Sequence, residues 1–273
     1  MKISKQQIGE FQSVIFSWWK LYKRDLPWRH TSDPYNILVS EIMLQQTQVQ
    51  RVLPKYSEFI KRYPTVTDLA NAPTGDILRL WKGMGYNRRA LYLHKTAREV
   101  VRLYKGSFPK DEQSLMKLPG LGKYTARAVM VFAYRKDVAM VDTNIRQIIT
   151  HYFFRDEPQT PTVIQKVADQ LVPLGLSWEW HQALMDHGAL AMSKMKTKRQ
   201  KKDKGTIPFE NTTRFYRGRV IDILRDDAVN EKSLIRDMSK KYTKPHLYIQ
   251  EILKGLMKDG LVVKEGNVVR LPQ

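Results

Sequence analysis

From Lys5 to Ser193, apolar residues return three and four positions apart, as at Leu91, His94, Ala97, Val100, Val101 and Tyr104. Side chains at that spacing share one face of a helix, so the segment predicts helices that each bury a face. Turn signals punctuate the run at Asp33-Pro34, Tyr63-Pro64, Ala72-Pro73, Phe108-Pro109, Leu118-Pro119-Gly120 and Glu157-Pro158. Proline stops a helix at the preceding residue, and Asp33 is placed to cap the segment that Pro34 opens. No internal repeat is evident. The pattern predicts an all-α domain over residues 1–193, built from about ten helices.

The composition then shifts. Residues 194–204 read KMKTKRQKKDK, polar, basic and unpatterned, which predicts a solvated linker over 194–207. Beyond it, residues 208–273 read as a small module. Helical patterns cover Thr213–Arg225, Glu231–Lys241 and Lys244–Asp259. Two apolar stretches, Leu261-Val262-Val263 and Val268-Val269-Arg270-Leu271, then flank Glu265-Gly266-Asn267, a hairpin signal. Three helices and a hairpin resemble a winged helix, a fold that serves DNA reading and plain protein contact alike.

The chain of 273 residues carries a formal net charge of +20. That surplus favours a polyanionic partner, because Lys and Arg displace counterions from phosphates. The sequence has no cysteine, which excludes disulfides, thiolate metal sites, cysteine-ligated iron–sulfur clusters and a cysteine nucleophile. The N-terminus lacks a signal-peptide core and no apolar run approaches the roughly 20 residues that span a bilayer. The expectation is a monomer in the cytoplasm, associated with the nucleoid and not with a membrane.

The string Leu118-Pro119-Gly120-Leu121-Gly122-Lys123-Tyr124-Thr125-Ala126 carries more information. Two glycines flank one residue directly before a helix-forming run. Glycine reaches positive φ and lets another backbone approach closely. The helix that follows offers free N–H groups and its positive dipole end to a phosphate. Such a hairpin grips a DNA strand without reading sequence, and Lys123 adds a point charge. An ordinary inter-helix turn is the plainer reading of the two glycines alone.

The whole string closely resembles the helix–hairpin–helix of the DNA glycosylase superfamily, and in particular its MutY-type adenine glycosylases. Leu26-Pro27-Trp28-Arg29, Asp33-Pro34-Tyr35, Ser40-Glu41-Ile42-Met43-Leu44-Gln45-Gln46-Thr47-Gln48-Val49, Gly83-Met84-Gly85-Tyr86 and Met140-Val141-Asp142-Thr143-Asn144-Ile145-Arg146 are similar to strings of that family. Together they span roughly residues 20 to 193. The resemblance implies two helical subdomains with the active site between them, and double-stranded DNA containing a mispair as partner. It also implies a monovalent cation at the hairpin.

Two carboxylates suit glycosidic chemistry, which uses a pair of them across an oxocarbenium-like transition state. Glu41 sits among Ile37-Leu38-Val39 and Ile42-Met43-Leu44, and desolvation there would raise its pKa, as a general acid requires. A buried residue paired with Arg29, or capping a backbone group, is the structural alternative. Asp142 precedes a helix-like segment and is a natural N-cap. Backbone donors and the helix dipole would lower its pKa, keeping it ionised to stabilise a cationic sugar. Capping alone also explains it. The resemblance assigns catalysis to Glu41 and Asp142, with Tyr124 and Asn144 beside them. Bifunctional relatives similar to endonuclease III hold a Schiff-base lysine where this chain has Tyr124. Lys123 is rotated about 100° away on the helix, so a monofunctional enzyme is expected. Tyr124 is expected to contact Asp142 or a phosphate, or to be a core tyrosine.

An enzyme that acts on a base extrudes it and fills the gap. The resemblance nominates Gln46 and Tyr86 as wedges, with Thr47 beside Gln46. It places Trp28, Arg29, Leu44 and Asp186 around the base. It assigns DNA contacts to Gln45, Gly85, Leu118, Gly120, Gly122 and Lys123. Taken singly, Trp28 reads more simply as core and Tyr86 as a loop anchor. The sequence departs from the family in two places: Met192 stands where a cluster cysteine often lies, and residues 208–273 do not look like the C-terminal domain that recognises 8-oxoguanine. Two rivals remain, a thymine or uracil glycosylase acting on G mismatches and a non-catalytic DNA-binding protein.

Overall fold

A computed structural model describes residues 2–192 and 207–273. The basic stretch 194–206 and its expected linker role lie outside the described residues. Eleven helices precede it: α1 (Lys5–Tyr22), α2 (Pro34–Leu44), α3 (Val49–Arg62), α4 (Val66–Asn71), α5 (Thr74–Leu80), α6 (Arg88–Tyr104), α7 (Glu112–Met116), α8 (Lys123–Tyr134), α9 (Thr143–Phe154), α10 (Pro161–Leu171) and α11 (Ser177–His187). Short polar side chains start many of them. Ser4 and Gln7 form a reciprocal capping box, as do Thr65 and Asp68. Asp111, Asp142, Thr160 and Thr212 each accept a first-turn amide, satisfying donors that a helix start leaves bare. Asp33 accepts the Tyr35 amide at 2.8 Å, as the sequence predicts.

The chain divides into two compact units: the described parts of Met1–Glu41 with Phe108–Lys202, and those of Ile42–Ser107 with Asp203–Gln273. The core of the first centres on Ile15, Ile148, Ile149, Ile164, Trp180 and Ala183. A second cluster of Ile37, Ala128, Val131, Phe132 and Met140 ties α2 to α8. A π-helical turn, Gly188–Met192, continues α11.

In the second unit, Phe59, Leu69, Ile77, Leu78, Trp81 and Leu93 are buried along α3 to α6. The tail adds α12 (Thr213–Asp226), β1 (Val229–Asn230), α13 (Glu231–Tyr242), α14 (His246–Lys258), β2 (Val263–Glu265) and β3 (Val268–Arg270). The strands are antiparallel in the order β1-β3-β2, with Val229 and Lys264 both opposite Val269. This is the winged-helix-like module expected from the sequence, with one strand, β1, too short to be read there. Phe215, Tyr216, Tyr242 and Tyr248 pack edge to face inside it.

The compact units do not follow chain order, because the tail packs on α5 and α6. The Arg79 Nε donates to the Arg225 carbonyl at 3.0 Å, and the Arg225 Nε donates to the Leu78 carbonyl at 2.9 Å. The Gly75 amide donates to the Pro272 carbonyl at 2.6 Å. A Cβ on Gly75 would lie 2.8 Å from that oxygen, so this close approach requires glycine. Among the described residues, no helix is long and apolar enough to cross a membrane.

Candidate active site

The hairpin joins α7 to α8. Gly120 has φ +78, the left-handed conformation a glycine is suited to. Gly122 is different: it is the extended N-cap of α8, with φ −89 and no side-chain cap, and a Cβ there would meet nothing within 4 Å. Its value is an open helix N-terminus, not backbone freedom. Leu118 is buried, so only its backbone is available to DNA. Glu112 is held by Arg127 at 2.8 Å and lies 3.9 Å from Lys123, whose side chain is half exposed.

Directly inside the hairpin, α8 turns Tyr124 toward α2 and α9. The Tyr124 hydroxyl donates to the Glu41 carboxylate, and the charge of Asp142 is felt by both. Glu41 is buried, whereas Tyr124 and Asp142 keep part of their surface open, so a ligand can reach the group. Burial lifts the Glu41 carboxyl from 4.5 to about 7; the Tyr124 hydrogen bond opposes the rise and the Asp142 charge adds to it. Burial and the two carboxylates push the Tyr124 phenol well above its usual value, so it stays a donor. The sequence predicts a contact of Tyr124 with Asp142 or a phosphate, and does not predict this bond with Glu41.

Asp142 caps α9. Its Oδ1 accepts the Ile145 amide at 2.7 Å and its Oδ2 accepts the Asn144 side-chain amide at 3.2 Å. The expectation of a lowered pKa is corrected: burial raises it, and the Ile145 and Asn144 donors only partly offset that. Asn144 is positioned by a residue the sequence reading missed. A Cβ on Gly188 would lie 2.6 Å from the Asn144 Cβ, so glycine at the start of the π-helical turn lets Asn144 reach Asp142.

Arg29 does not pair with Glu41. Its guanidinium grips Asp186 at 2.8 and 2.7 Å, with Arg24 at 2.6 Å and the Trp19 indole at 3.0 Å completing the shell. Although burial pushes the Asp186 carboxyl up, the Arg29 and Arg24 donors hold it below its usual range. Asp186 is fully buried and offers no surface to a base; what it does is fix Arg29. The Arg29 Nε is buried and has no partner among the described residues. Trp28 is buried beside it on the turn Pro27–Arg29.

In the second unit, Gln46 and Tyr86 stand out by backbone conformation. Their φ values are 52 and 46, left-handed for residues that avoid that region, which holds only where the surroundings enforce it. Gly83 and Gly85 share positive φ, at 87 and 67. Arg89 supplies the enforcement. Its buried guanidinium donates to the carbonyls of Ile42 at 3.0 Å, Met43 at 2.9 Å, Met84 at 2.9 Å and Gly85 at 3.2 Å. It also donates to the Gln45 carbonyl and, at 3.0 Å, to the Thr47 hydroxyl, and lies 5.5 Å from the Tyr86 and Trp81 ring centroids. One side chain thus locks both turns. Burial lowers its pKa to about 10, leaving it charged at neutral pH. Leu44 is half-buried, and Gln46 and Tyr86 are exposed. In the sequence, Arg88-Arg89 reads as an exposed helix start, and nothing local marks the second arginine as buried.

A family model described as HhH-GPD superfamily base excision DNA repair protein matches residues 39–174. An adenine DNA glycosylase of Mycolicibacterium smegmatis is 37% identical over 234 residues, covering 78% of this chain and 80% of that protein. One from Mycobacterium tuberculosis is 42% identical over 180 residues, 64% of this chain and 59% of its own length; the chain therefore spans little more than half of some relatives. A thymine/uracil-DNA glycosylase of Methanothermobacter thermautotrophicus is 36% identical over 195 residues, covering 70% and 88%. The solved structure of a thermostable thymine-DNA glycosylase superposes with a TM-score of 0.63 at 35% identity, covering 68% of this chain and 87% of that one. With the hairpin, the carboxylate pair and these relatives in agreement, the chain belongs to the HhH-GPD superfamily of base excision DNA repair proteins.

Proposed function

We propose that this protein is a monofunctional adenine DNA glycosylase that flips adenine, mispaired with 8-oxoguanine or guanine, out of duplex DNA and hydrolyses its N-glycosidic bond. The observation that carries the reading is Glu41, a buried carboxyl lifted to about 7 beside Tyr124 and Asp142. A proton held near neutral pH is what departure of a base requires. Glu41 donates that proton to the leaving adenine, at N7. Asp142 faces the sugar and stabilises the positive charge that develops as the bond breaks. Water completes the hydrolysis, with the deprotonated Glu41 as base. Tyr124 supplies no amine, so no Schiff base forms at this position and the strand is left uncut.

Gln46 and Tyr86 fill the space left by the flipped base, on turns that Arg89 has already set. Trp28 and Arg29 line the base pocket, with Asp186 behind Arg29. Thr47 stands beside Gln46 toward the base, and Gln45, Gly85 and the hairpin residues Leu118, through its backbone, Gly120, Gly122 and Lys123 hold the DNA. A monovalent cation at the hairpin would be held by carbonyls such as those of Leu118 and Gly122, each of which accepts one amide and keeps a second lone pair. No chemical step runs through it. The protein works as a monomer, and nucleoid association follows from its DNA partner.

The similarity to a thymine/uracil-DNA glycosylase favours one rival, thymine excision from T·G mispairs. Single-turnover release from otherwise identical duplexes carrying A·8-oxoguanine, A·G, A·C or T·G decides between them. Adenine release that vanishes in Glu41→Gln is the expected result. Thymine release promotes the rival, and no release from any duplex refutes both.

A further inference from the structure

Tyr86 is touched by two arginines. One is Arg89, buried and occupied with carbonyls. The other comes from the tail. The guanidinium carbon of Arg214, in the first turn of α12, lies 4.5 Å from the Tyr86 ring centroid and 4.9 Å from that of Phe209. It also donates to the Tyr86 hydroxyl. Arg214 is exposed and, among the described residues, forms no ion pair with a carboxylate. A guanidinium carries five donors in a rigid plane, and among the described residues only one is used, by the Tyr86 hydroxyl.

Placement of this arginine is built, not incidental. Arg225 lies eleven positions further along α12, about three turns, which returns to the same helix face. It is buried and donates to the Leu78 carbonyl at 2.9 Å and to the Asn87 side-chain oxygen at 3.1 Å. Asn87 is the neighbour of Tyr86. The helix that carries Arg214 is therefore anchored one residue from the wedge, and the free donors of Arg214 lie beside the ring that enters the stack.

We propose that Arg214 is a specificity-determining residue: standing beside Tyr86, it reads the base opposite the excised adenine and selects guanine-type bases over cytosine. The chemistry favours that class. Guanine presents its O6 and N7 acceptors together, a spacing an arginine engages with two parallel hydrogen bonds; 8-oxoguanine carries a hydrogen on N7 and offers the guanidinium O6 or O8 as single acceptors. At the corresponding major-groove edge cytosine presents a donor amino group, which a guanidinium cannot engage. The tail would then supply to the wedge the discrimination that residues 208–273 do not supply through a domain of the usual family kind.

This inference rests on the adenine reading above, and one experiment separates the two. Single-turnover adenine release by the full chain is measured on A·8-oxoguanine, A·G and A·C duplexes, for the wild type, Arg214→Met, Arg214→Lys and Glu41→Gln. The wild type is expected to favour the guanine-type partners. Both Arg214 variants are expected to reduce the ratio of the A·G rate to the A·C rate by on the order of tenfold, the value of one good bidentate contact, and the ratio of the A·8-oxoguanine rate to the A·C rate by less. Lys keeps the charge but not the paired donors, so it should not rescue. Equal losses on all three duplexes, or rescue by Lys together with a shallower salt dependence of binding in Arg214→Met, would make Arg214 a positioning or phosphate-contacting residue and overturn the proposal. A wild type that releases adenine without preference overturns it and leaves the adenine reading intact. A wild type that releases no adenine removes both.

Discussion

Glu41→Gln should abolish base release and at the same time stabilise the protein above neutral pH. Burial raises the folded-state pKa of Glu41 from 4.5 to about 7. A raised carboxyl contributes its full stability below the unfolded pKa and loses it as pH climbs through the folded one. Between those limits the wild type gives up about 3 kcal/mol, because each pH unit of separation corresponds to about 1.4 kcal/mol. Gln is neutral at every pH, and its side-chain oxygen still accepts from the Tyr124 hydroxyl. The variant and the wild type should therefore melt together near pH 4.5 and diverge up to about pH 8. There the variant should melt higher by on the order of 5–10 °C, for a chain of this size. Melting curves at half-unit pH steps measure the gap directly. A gap that is constant with pH, or a wild type that is the more stable form at pH 8, would refute the account of Glu41 as a desolvated acid. The same result would show how the enzyme sets function against stability, by holding a carboxyl where its charge is costly.

Three further outcomes follow from neighbouring contacts. Tyr124→Phe removes the hydrogen bond that favours ionised Glu41, so the alkaline limb of the single-turnover pH profile should move up by about one unit; a limb that stays put or moves to lower pH would separate Tyr124 from the acid. Gly188→Ala must displace Asn144, costing Asp142 a donor that lowers its pKa. The acid limb should shift toward neutral pH, with about tenfold lower activity at low pH, while the profile of an unperturbed Asp142 would not move. Arg89→Lys removes at least three of the six hydrogen-bond contacts, because an ammonium has three donors. At about 1 kcal/mol each, roughly 3 kcal/mol of stability should be lost, read as an earlier denaturation midpoint and faster amide exchange at residues 45–47 and 84–86.

The candidate centre of Glu41, Tyr124 and Asp142 was legible because its requirements are local. Gly120 must reach a conformation that other residues resist, and the hairpin therefore writes itself into a short string. Asp142 is a cap before a helix, and Glu41 is a carboxyl set in an apolar helix, so both stand out against their neighbours. What remained hidden depends on residues far apart in sequence. The cap of Asp142 was visible, yet the sign of its pKa shift was not, since burial competes with the capping donors and only the folded chain fixes the winner. Asp186 looked like a pocket residue, and only the convergence of Arg24, Arg29 and Trp19 on it reveals a brace.

The same limit explains the tail. Charge patterning marks Arg89, Arg214 and Arg225 alike as solvated basic residues on helices, and the fold gives them three different tasks. Arg89 saturates the carbonyls of two left-handed turns, Arg225 is buried against α5 and the start of α6, and Arg214 stays exposed on an aromatic ring. Reading by composition separates residues 208–273 from the helical domain, whereas contacts join them to residues 42–107, the segment that bears Gln46 and Tyr86. Glu41 and Asp142 belong to the other compact unit. On the proposed reading, a tail that packs on the segment bearing Gln46 and Tyr86 acts on which mispair is recognised, while Glu41, Tyr124 and Asp142, the groups proposed to break the bond, belong to a unit with its own core.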